Sequence, residues 1–325
     1  MKSFRGGIHP SHRKHLTQNK PVEKAASPNV AVIPLQQHIG APCRPLVSVG
    51  EEVKVGQKIG DSDAFVSAPV HSSISGIVKE IKEMHTSSGQ SLCVIIESDG
   101  LEQVHESVRP KSEIGQLDRD DILKGIREAG IVGMGGATFP VHVKLSPPED
   151  KKIDTLILNG AECEPYLTSD HRLMLEQPEL IVYAIKLMMK ALSVKAAYIG
   201  IEENKPDAIG TMRRLLKEET DIFVMPLKAK YPQGAEKQLI YACAGREVPS
   251  GKLPMEVGVV VSNVGTAAAI GEAFLTGMPL IKRIVTVTGG GLIEPKNLEV
   301  KIGTSFREVI GQCGGYKGVP GKLIM

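Results

Sequence analysis

Residues Gly130–Leu145 read GIVGMGGATFPVHVKL, with four glycines in seven residues, then Phe-Pro and a lysine. Ordering glycine costs conformational entropy, so such a run marks a bend that side chains would block, or backbone brought close to a ligand. Gly133, Gly135 and Gly136 can present backbone N–H groups, Lys144 can add positive charge, and Phe139 offers a flat face. Pro140 suits the first position of a short helix, 140–145, with its N-terminus toward the loop. The arrangement suits a ligand with both a phosphate and a planar ring. A tight helix–helix turn packed on a sheet is the plainer alternative. Two standard phosphate signatures fail. G-x-G-x-x-G needs a preceding strand and a third glycine, where this chain has a helix and Thr138; the Walker pattern needs Gly-Lys-Ser/Thr, and here Lys144 follows Val143.

Three more segments carry candidate groups. LNGAECEPYLTSDHRLM follows an apolar strand at 153–158 and crowds Asn159, Glu162, Glu164 and Asp170 at one strand end, where open α/β sheets bind ligands. Asn159 can pair with a heterocycle edge. Glu162 and Glu164 share one side if the backbone is extended, and with Cys163 between them they suit sugar or ribityl hydroxyls better than phosphate. A solvated acidic loop is the alternative. YPQGAEKQLI places Tyr231, Gly234 and Glu236 before a helix, and VVVSNVGTAAA places Asn263 and Thr266 at a strand-to-helix turn. Asn263 is equally a candidate helix cap.

The positioning elements fall into three blocks. Residues 1 to about 30, rich in His, Lys and Pro, read as an extended arm. Short alternating stretches such as PLVSVGEEVKVGQKIGD and FVSAPVHSSISGIVKEI, ending near Gly100, predict an all-β unit. From about 116 the texture changes: DRDDILKGIREAG predicts a helix stopped by Gly130, and strands then alternate with helices, which implies a mostly parallel sheet covered on both faces. Pro178 divides a short helix from a longer one. After Pro279 the pattern returns to β, with a turn at Gly289–Gly291, a helix capped by Thr304 or Ser305, and an apolar terminal strand, GKLIM, that leaves this last unit apparently incomplete. The units are expected at 1–115, 116–280 and 281–325.

Composition narrows the function. With 325 residues, a net charge of +2, no Trp and 4% aromatics, there is no basic field or stacking platform for nucleic acid. No run of about 18 apolar residues is present to cross a membrane. The five cysteines, Cys43, Cys93, Cys163, Cys243 and Cys313, show no CxxC spacing, so no metal site is expected, and their odd number fits a reducing cytoplasm.

Together the four segments resemble an ordered set of family motifs. GIVGMGGATFPVHVKL is similar to the GxxGRGGAGFPTGxKW loop of the flavin-bearing subunit of respiratory complex I, NGAECEPY to its NADESEPG, YPQGAEKQLI to its YxCGEETALI, and SNVGTAAAI to its NNVETLANV. The likeness runs over about residues 115–325. It is stronger still to the C-subunit family of Rnf ion-translocating electron transport complexes, through NGAECEPY, DHRLM and the N-terminal FRGGIHP. The resemblance implies FMN on the glycine loop with NAD(H) stacked against it. By position, Gly133, Gly135, Lys144, Asn263 and Thr266 would contact the flavin phosphate and ribityl chain, with Gly136 in the same loop. Asn159, Glu162, Cys163 and Gly234 would face the isoalloxazine. Phe139 would stack on the nicotinamide nucleotide, Glu164 would help bind it, and Glu236 matches the second acid of the GEE pair. Ala161, Ala235, Met134 and Thr138 depart from the complex I pattern.

The resemblance further implies a Rossmann-like FMN-binding α/β domain, between an unmodified barrel-sandwich hybrid of lipoyl/biotinyl type and a β-grasp, soluble-ligand-binding domain. The hairpin tip GDSDAFVSAP lacks the lysine to which such carriers attach lipoate or biotin. The implied activity is hydride exchange between NAD(H) and FMN, followed by single-electron transfer to iron–sulfur centres. No residue need act as a catalytic acid or base. Full-length relatives carry Cys motifs for [4Fe–4S] clusters, and this chain has none. The expected partners are the membrane and ferredoxin-like subunits of such a complex, with the chain peripheral on the cytoplasmic face of the membrane. Two other roles remain within the superfamily: a cobalamin-reductase-type flavoprotein, and a docking or quinone-associated subunit with a degenerate flavin pocket.

Overall fold

The computed structural model describes residues 1–86 and 89–325. Its first unit contains β1 (Val22–Lys24), β2 (Val30–Pro34), β3 (Arg44–Pro45), β4 (Glu52–Val53), β5 (Lys58–Asp61), β6 (Val70–His71), β7 (Gly76–Thr86) and β8 (Gly89–Ser98). Strands β2–β8 form two antiparallel sheets, ordered β2-β8-β7-β4 and β3-β5-β6. Alternation decides which side chains enter their common core. Ala31 and Ile33 from β2 meet Val94 and Ile96 from β8, with Ile59 and Val70 from the second sheet.

The central unit contains α1 (Arg119–Glu128), α2 (Val141–Lys144), β9 (Thr155–Gly160), α3 (Ser169–Glu176), α4 (Pro178–Leu192), β10 (Ala196–Glu202), α5 (Pro206–Leu215), β11 (Ile222–Leu227), α6 (Glu236–Ala244), β12 (Val259–Asn263) and α7 (Val264–Thr276). A reciprocal cap starts α1: Asp121 N–H donates to Asp118 at 2.8 Å, and Asp118 N–H donates back to Asp121 at 3.1 Å. The four strands are all parallel, in the order β11-β10-β9-β12. Leu156 and Leu158 of β9 enter the larger core with residues of α1, α4, α5 and α7, while Ile157 points the other way, to Leu239 and Ile240 of α6. Both faces of the sheet are therefore covered. From β9 the chain winds outward through β10 to β11, then returns to place β12 on the opposite side of β9. The strand order reverses there, and the crevice beyond the ends of β9 and β12 is where such sheets take ligands.

The last unit is the hairpin β13 (Lys282–Val287) and β14 (Lys296–Lys301), with α8 (Phe306–Gln312) packed on it. Ser305, one of the two expected caps, starts α8 in a reciprocal pair with Glu308. Residues 321–325, expected as a strand, are in no strand and are exposed.

The N-terminal thirty residues are no free arm. Lys2 bridges to Leu227 and Ile8 to Tyr231, Lys14–Leu16 form a short 3-10 helix, and β1 pairs in parallel with β14. The third sheet, β1-β14-β13, is thus built from both ends of the chain. A buried polar network seals this closure. Thr17 and Thr168 hydroxyls lie 2.7 Å apart, Thr168 donates to Asn297 Oδ1 at 2.8 Å, and Asn297 Nδ2 donates to the Thr17 carbonyl at 3.0 Å. Every member has a partner, which is what makes such a network stabilising rather than costly.

Helices α4 and α7 cross closely because Gly271 has no side chain; a Cβ there would lie 2.3 Å from the Leu180 carbonyl oxygen. Gly271→Ala must therefore push α4 off α7. Overpacking of this kind costs about 1–3 kcal/mol. The urea midpoint of the variant is expected to fall with its m-value unchanged; an unchanged midpoint would show that the two helices are not in contact at this position.

Candidate functional site

The ends of β9 and β12 are paired in register, so Asn159 and Asn263 sit side by side at the switch point. Asn263 Oδ1 accepts the Gly265 N–H at 2.7 Å and caps α7, while its Nδ2 donates to Asp170 Oδ2 at 2.7 Å. Asn159 Nδ2 donates to the Gly234 carbonyl at 2.8 Å, and its Oδ1 accepts the Ala161 N–H at 3.1 Å. Asn159 therefore ties the loop after β9 to the loop before α6 while lining the cavity. The crevice between these groups is a cavity of about 420 Å³.

The acidic loop that follows β9 is held from beneath by two lysines. Lys14, 5% exposed, donates to the carbonyls of Glu162 (2.8 Å), Glu164 (3.0 Å) and Leu167 (2.5 Å). Lys205, 1% exposed, donates to the Ala161 carbonyl at 2.6 Å and lies 3.5 Å from Glu202. Burial lowers the Lys14 ammonium's affinity for its proton, and the nearby Glu162 carboxylate partly restores it. Glu162 has a φ of 46°, so the backbone is not extended and the pairing of Glu162 with Glu164 on one side of a strand does not arise. Glu162 Oε1 accepts the Asp170 N–H at 2.7 Å. Its buried Oε2 has no hydrogen bond; the nearest cation is Lys14, at 3.9 Å.

The glycine loop closes the cavity from another side. Gly133 N–H donates to the Phe139 carbonyl at 2.9 Å, and a Val132–Pro140 bridge narrows the loop. Pro140 is the cap of α2 rather than its first residue. The Met134 peptide is gripped on both sides: its N–H donates to Thr266 Oγ at 2.9 Å, and its carbonyl accepts from Arg283 at 3.1 Å. Gly135 is required by close approach, since a Cβ there would lie 2.9 Å from Asn263 Cβ. Among the described residues the N–H groups of Gly135 and Gly136 have no partner.

Of the residues expected from sequence, Gly135, Asn159, Glu162, Cys163, Glu164, Gly234 and Asn263 form the cavity wall. Cys163 Sγ accepts the Gly234 N–H at 3.3 Å. Gly133, Gly136, Phe139, Lys144, Glu236 and Thr266 lie outside that wall. Lys144 and Glu236 form an ion pair at 3.1 Å, each more than a third exposed. Thr266 acts through Met134. Sequence reasoning missed Lys14, Lys205 and Arg283, which come from the N-terminal segment, the loop after β10, and β13. No local spacing connects them to the site. Ala161, one of the departures from the family pattern, works through its backbone, and its side chain is fully buried.

Asp170 lies at the foot of the cleft with part of its surface toward the cavity. Its carboxyl is pushed up to about 7, chiefly by burial and then by the Glu162 carboxylate, against the opposing Asn263 amide and Arg283 charge. An unfolded Asp ionises near ~3.9. Between those values the folded chain keeps a proton that the unfolded chain has released, so this group makes stability fall as pH rises, until the slope ends above about 7. His71, driven down to about 3 by burial, has the opposite slope below its unfolded value. Asp170→Asn removes only the first effect and leaves an acceptor for Asn263. Its melting temperature relative to the parent is expected to climb between pH 5 and 7.5 by on the order of 5 °C, since about two pH units at about 1.4 kcal/mol each lie between pH 5 and the folded value. A flat difference would mean Asp170 is ionised throughout.

Residues 2–101 match the RnfC barrel sandwich hybrid domain, residues 126–272 the Nuo51 FMN-binding domain, and residues 284–321 the SLBB domain. The C subunit of the Na(+)-translocating ferredoxin:NAD(+) oxidoreductase complex of Acetobacterium woodii is 50% identical, over 99% of this chain and 73% of that protein. The C subunit of the proton-translocating complex of Clostridium ljungdahlii is 53% identical, over 100% of this chain and 71% of that protein. Among solved structures, an NAD+-reducing [NiFe]-hydrogenase in its air-oxidised state superposes with a TM-score of 0.52 at 24% identity, over 62% of this chain and 40% of that one, a likeness of fold. Identity at this level over nearly the whole sequence, with the domain matches in the same order, shows that the chain belongs to the family of C subunits of Rnf-type ion-translocating oxidoreductase complexes.

Proposed function

We propose that the chain is the NAD(H)-reactive, FMN-carrying part of a ferredoxin:NAD oxidoreductase complex, with FMN held in the cleft between β9 and β12. The observation that carries this is the meeting, at one cavity, of two backbone N–H groups with no partner among the described residues, of Gly135 in its wall and Gly136 beside it, with Glu162, whose buried Oε2 accepts no hydrogen bond and faces only Lys14 at 3.9 Å. The donors suit a phosphate, the acceptor suits an N–H or O–H of a ligand, and both lie within residues that match an FMN-binding domain. The donor set therefore fits the cofactor. When bound, FMN supplies hydride exchange with NAD(H) and the single-electron steps that follow.

The chain's own residues position and tune. Thr266 and Arg283 fix the Met134 peptide and with it the direction of the glycine loop. Gly135 lets that loop approach Asn263. Lys14 and Lys205 immobilise residues 161–167, so Glu162 and Cys163 meet the ligand without reorganising. Phe139, Glu164, Tyr231 and Glu236 are proposed to receive the nicotinamide nucleotide, and Lys144, paired with Glu236 at 3.1 Å, the flavin phosphate. Iron–sulfur centres held by residues other than these would accept the electrons singly. Among the described residues no helix is long and apolar enough to cross a membrane. The proposal places the chain peripherally on the inner face of the membrane, attached through membrane-embedded and ferredoxin-like subunits, and rests here on the family to which the chain belongs.

The test is an anaerobic NADH titration of the FMN-reconstituted chain, followed by flavin absorbance. Stoichiometric bleaching is expected; tight FMN binding without bleaching would remove the nucleotide half of the proposal. Gly135→Val crowds Asn263 and is expected to weaken FMN binding at least ~10-fold, about 1.4 kcal/mol, with its circular dichroism unchanged. Unaltered affinity in that variant would place the flavin elsewhere.

A further inference from the structure

A second cavity, of about 250 Å³, shares Lys14 and Lys205 with the site loop and is otherwise walled by residues that include His12, Arg13, His15 and His171. No carboxylate is in its wall. The nearest acids are already engaged: Glu202 with Lys205 at 3.5 Å, Asp207 with His171 at 2.8 Å, and Glu162 facing Lys14 at 3.9 Å. What remains uncompensated is the group of side chains from the N-terminal segment. Arg13 and His15 have no side-chain partner among the described residues. His12 Nδ1 is buried with none. The segment is nevertheless held in place, because the His12 carbonyl accepts the Tyr166 N–H at 2.8 Å and Lys14 is anchored by three carbonyls.

We propose that this cavity binds a small phosphate-bearing anion. A cation is excluded by the Arg13 guanidinium and by the absence of any carboxylate from the wall. An apolar ligand would leave His12 Nδ1 and the Arg13 guanidinium unsatisfied. A tetrahedral oxyanion can accept from Arg13, His12 and His15 at once, and charge-assisted bonds of this kind are the strong ones. A volume of about 250 Å³ suits a free phosphate or the phosphate end of a small metabolite, not a polymer. The inference does not depend on the flavin reading, because the two cavities meet only through the lysines beneath residues 161–167. Its consequence for the first site is electrostatic: an anion beside Lys14 favours the charged form that burial disfavours, and so tightens its grip on the site loop.

The experiment titrates inorganic phosphate into the full chain at constant ionic strength, reading melting temperature and phosphorus line width. It uses the parent, Arg13→Gln, His12→Ala with Arg13→Gln, and Gly135→Val, which crowds the first cavity. Saturable stabilisation is expected in the parent and in Gly135→Val, with affinity lowered at least ~10-fold in both Arg13 variants. Arg13 is exposed and unpartnered, so Arg13→Gln keeps the fold, and its unliganded melting temperature checks this. Absence of saturable binding in the parent, retained affinity in Arg13→Gln, or loss confined to Gly135→Val overturns the proposal. A parallel titration with AMP distinguishes the source: tighter binding than phosphate supports a phosphorylated metabolite, and equal binding supports the free ion.

Discussion

One ammonium group organises the site. Lys14 brings three donors to a place where three backbone carbonyls, those of Glu162, Glu164 and Leu167, point inward with no other partner. Each carbonyl would be costly to bury unsatisfied, and the ammonium would be costly to bury unpaired. Together they solve both problems, and the loop is drawn into a curve that a plain strand end would not adopt. The left-handed conformation of Glu162 belongs to that curve, as does the inward direction of its carboxylate. Lys205 repeats the device one residue earlier, at Ala161. The site loop is therefore shaped from below by cations, while its upper surface stays available to a ligand.

The same constraint explains why the N-terminal segment folds back over the central unit. Lys14 reaches its carbonyls because residues 1–24 run along the end of the sheet, bridge at Lys2 and Ile8, and then add β1 to the third sheet. The Thr17–Thr168–Asn297 network lies at that crossing and joins the start of α3 to β14. On the other side, Arg283 of β13 reaches the Met134 carbonyl of the glycine loop. The third unit thus supports the cleft as well as closing the fold. The first unit is fastened to α1 by Lys58 and Arg127, which share Asp61 and Glu128 across the boundary. Modules that can be matched separately are locked together here by charges and short polar networks.

Within the cleft, the electrostatics are unbalanced in a useful way. Burial opposes the ionisation of Asp170, and the nearby Glu162 carboxylate adds to the effect. Arg283 counters it but is itself weakened by burial. Such a floor holds a proton near neutral pH, beside donors on the glycine loop that remain unpaired. Buried carboxylates with divided roles are a common means of tuning a bound ring system without a separate acid or base.

Much of this was legible in the residues alone. Period-two alternation in the stretches that end near Gly100 and the alternation of strands with helices after 153 are local properties, and they predicted the all-β unit and the covered parallel sheet. Pro178 marked a helix start, and Gly130 a helix stop, through their own backbone chemistry. The four motifs lie at loop positions whose residue types answer to a ligand, so Asn159, Glu162 and Asn263 could be singled out before the fold was known. What sequence could not supply was the partner of each group. The amide of Asn159 and the hydroxyl of Thr266 look free in a string of letters; only when the chain closes do Gly234 and Met134 take them up. Lys14 and Arg283 stand about 150 residues from the atoms they hold, with no periodicity to link them. Local propensity depends on neighbours a few positions away, whereas a buried charge is satisfied by whatever the topology brings within hydrogen-bonding distance, and that is decided by the tertiary structure alone.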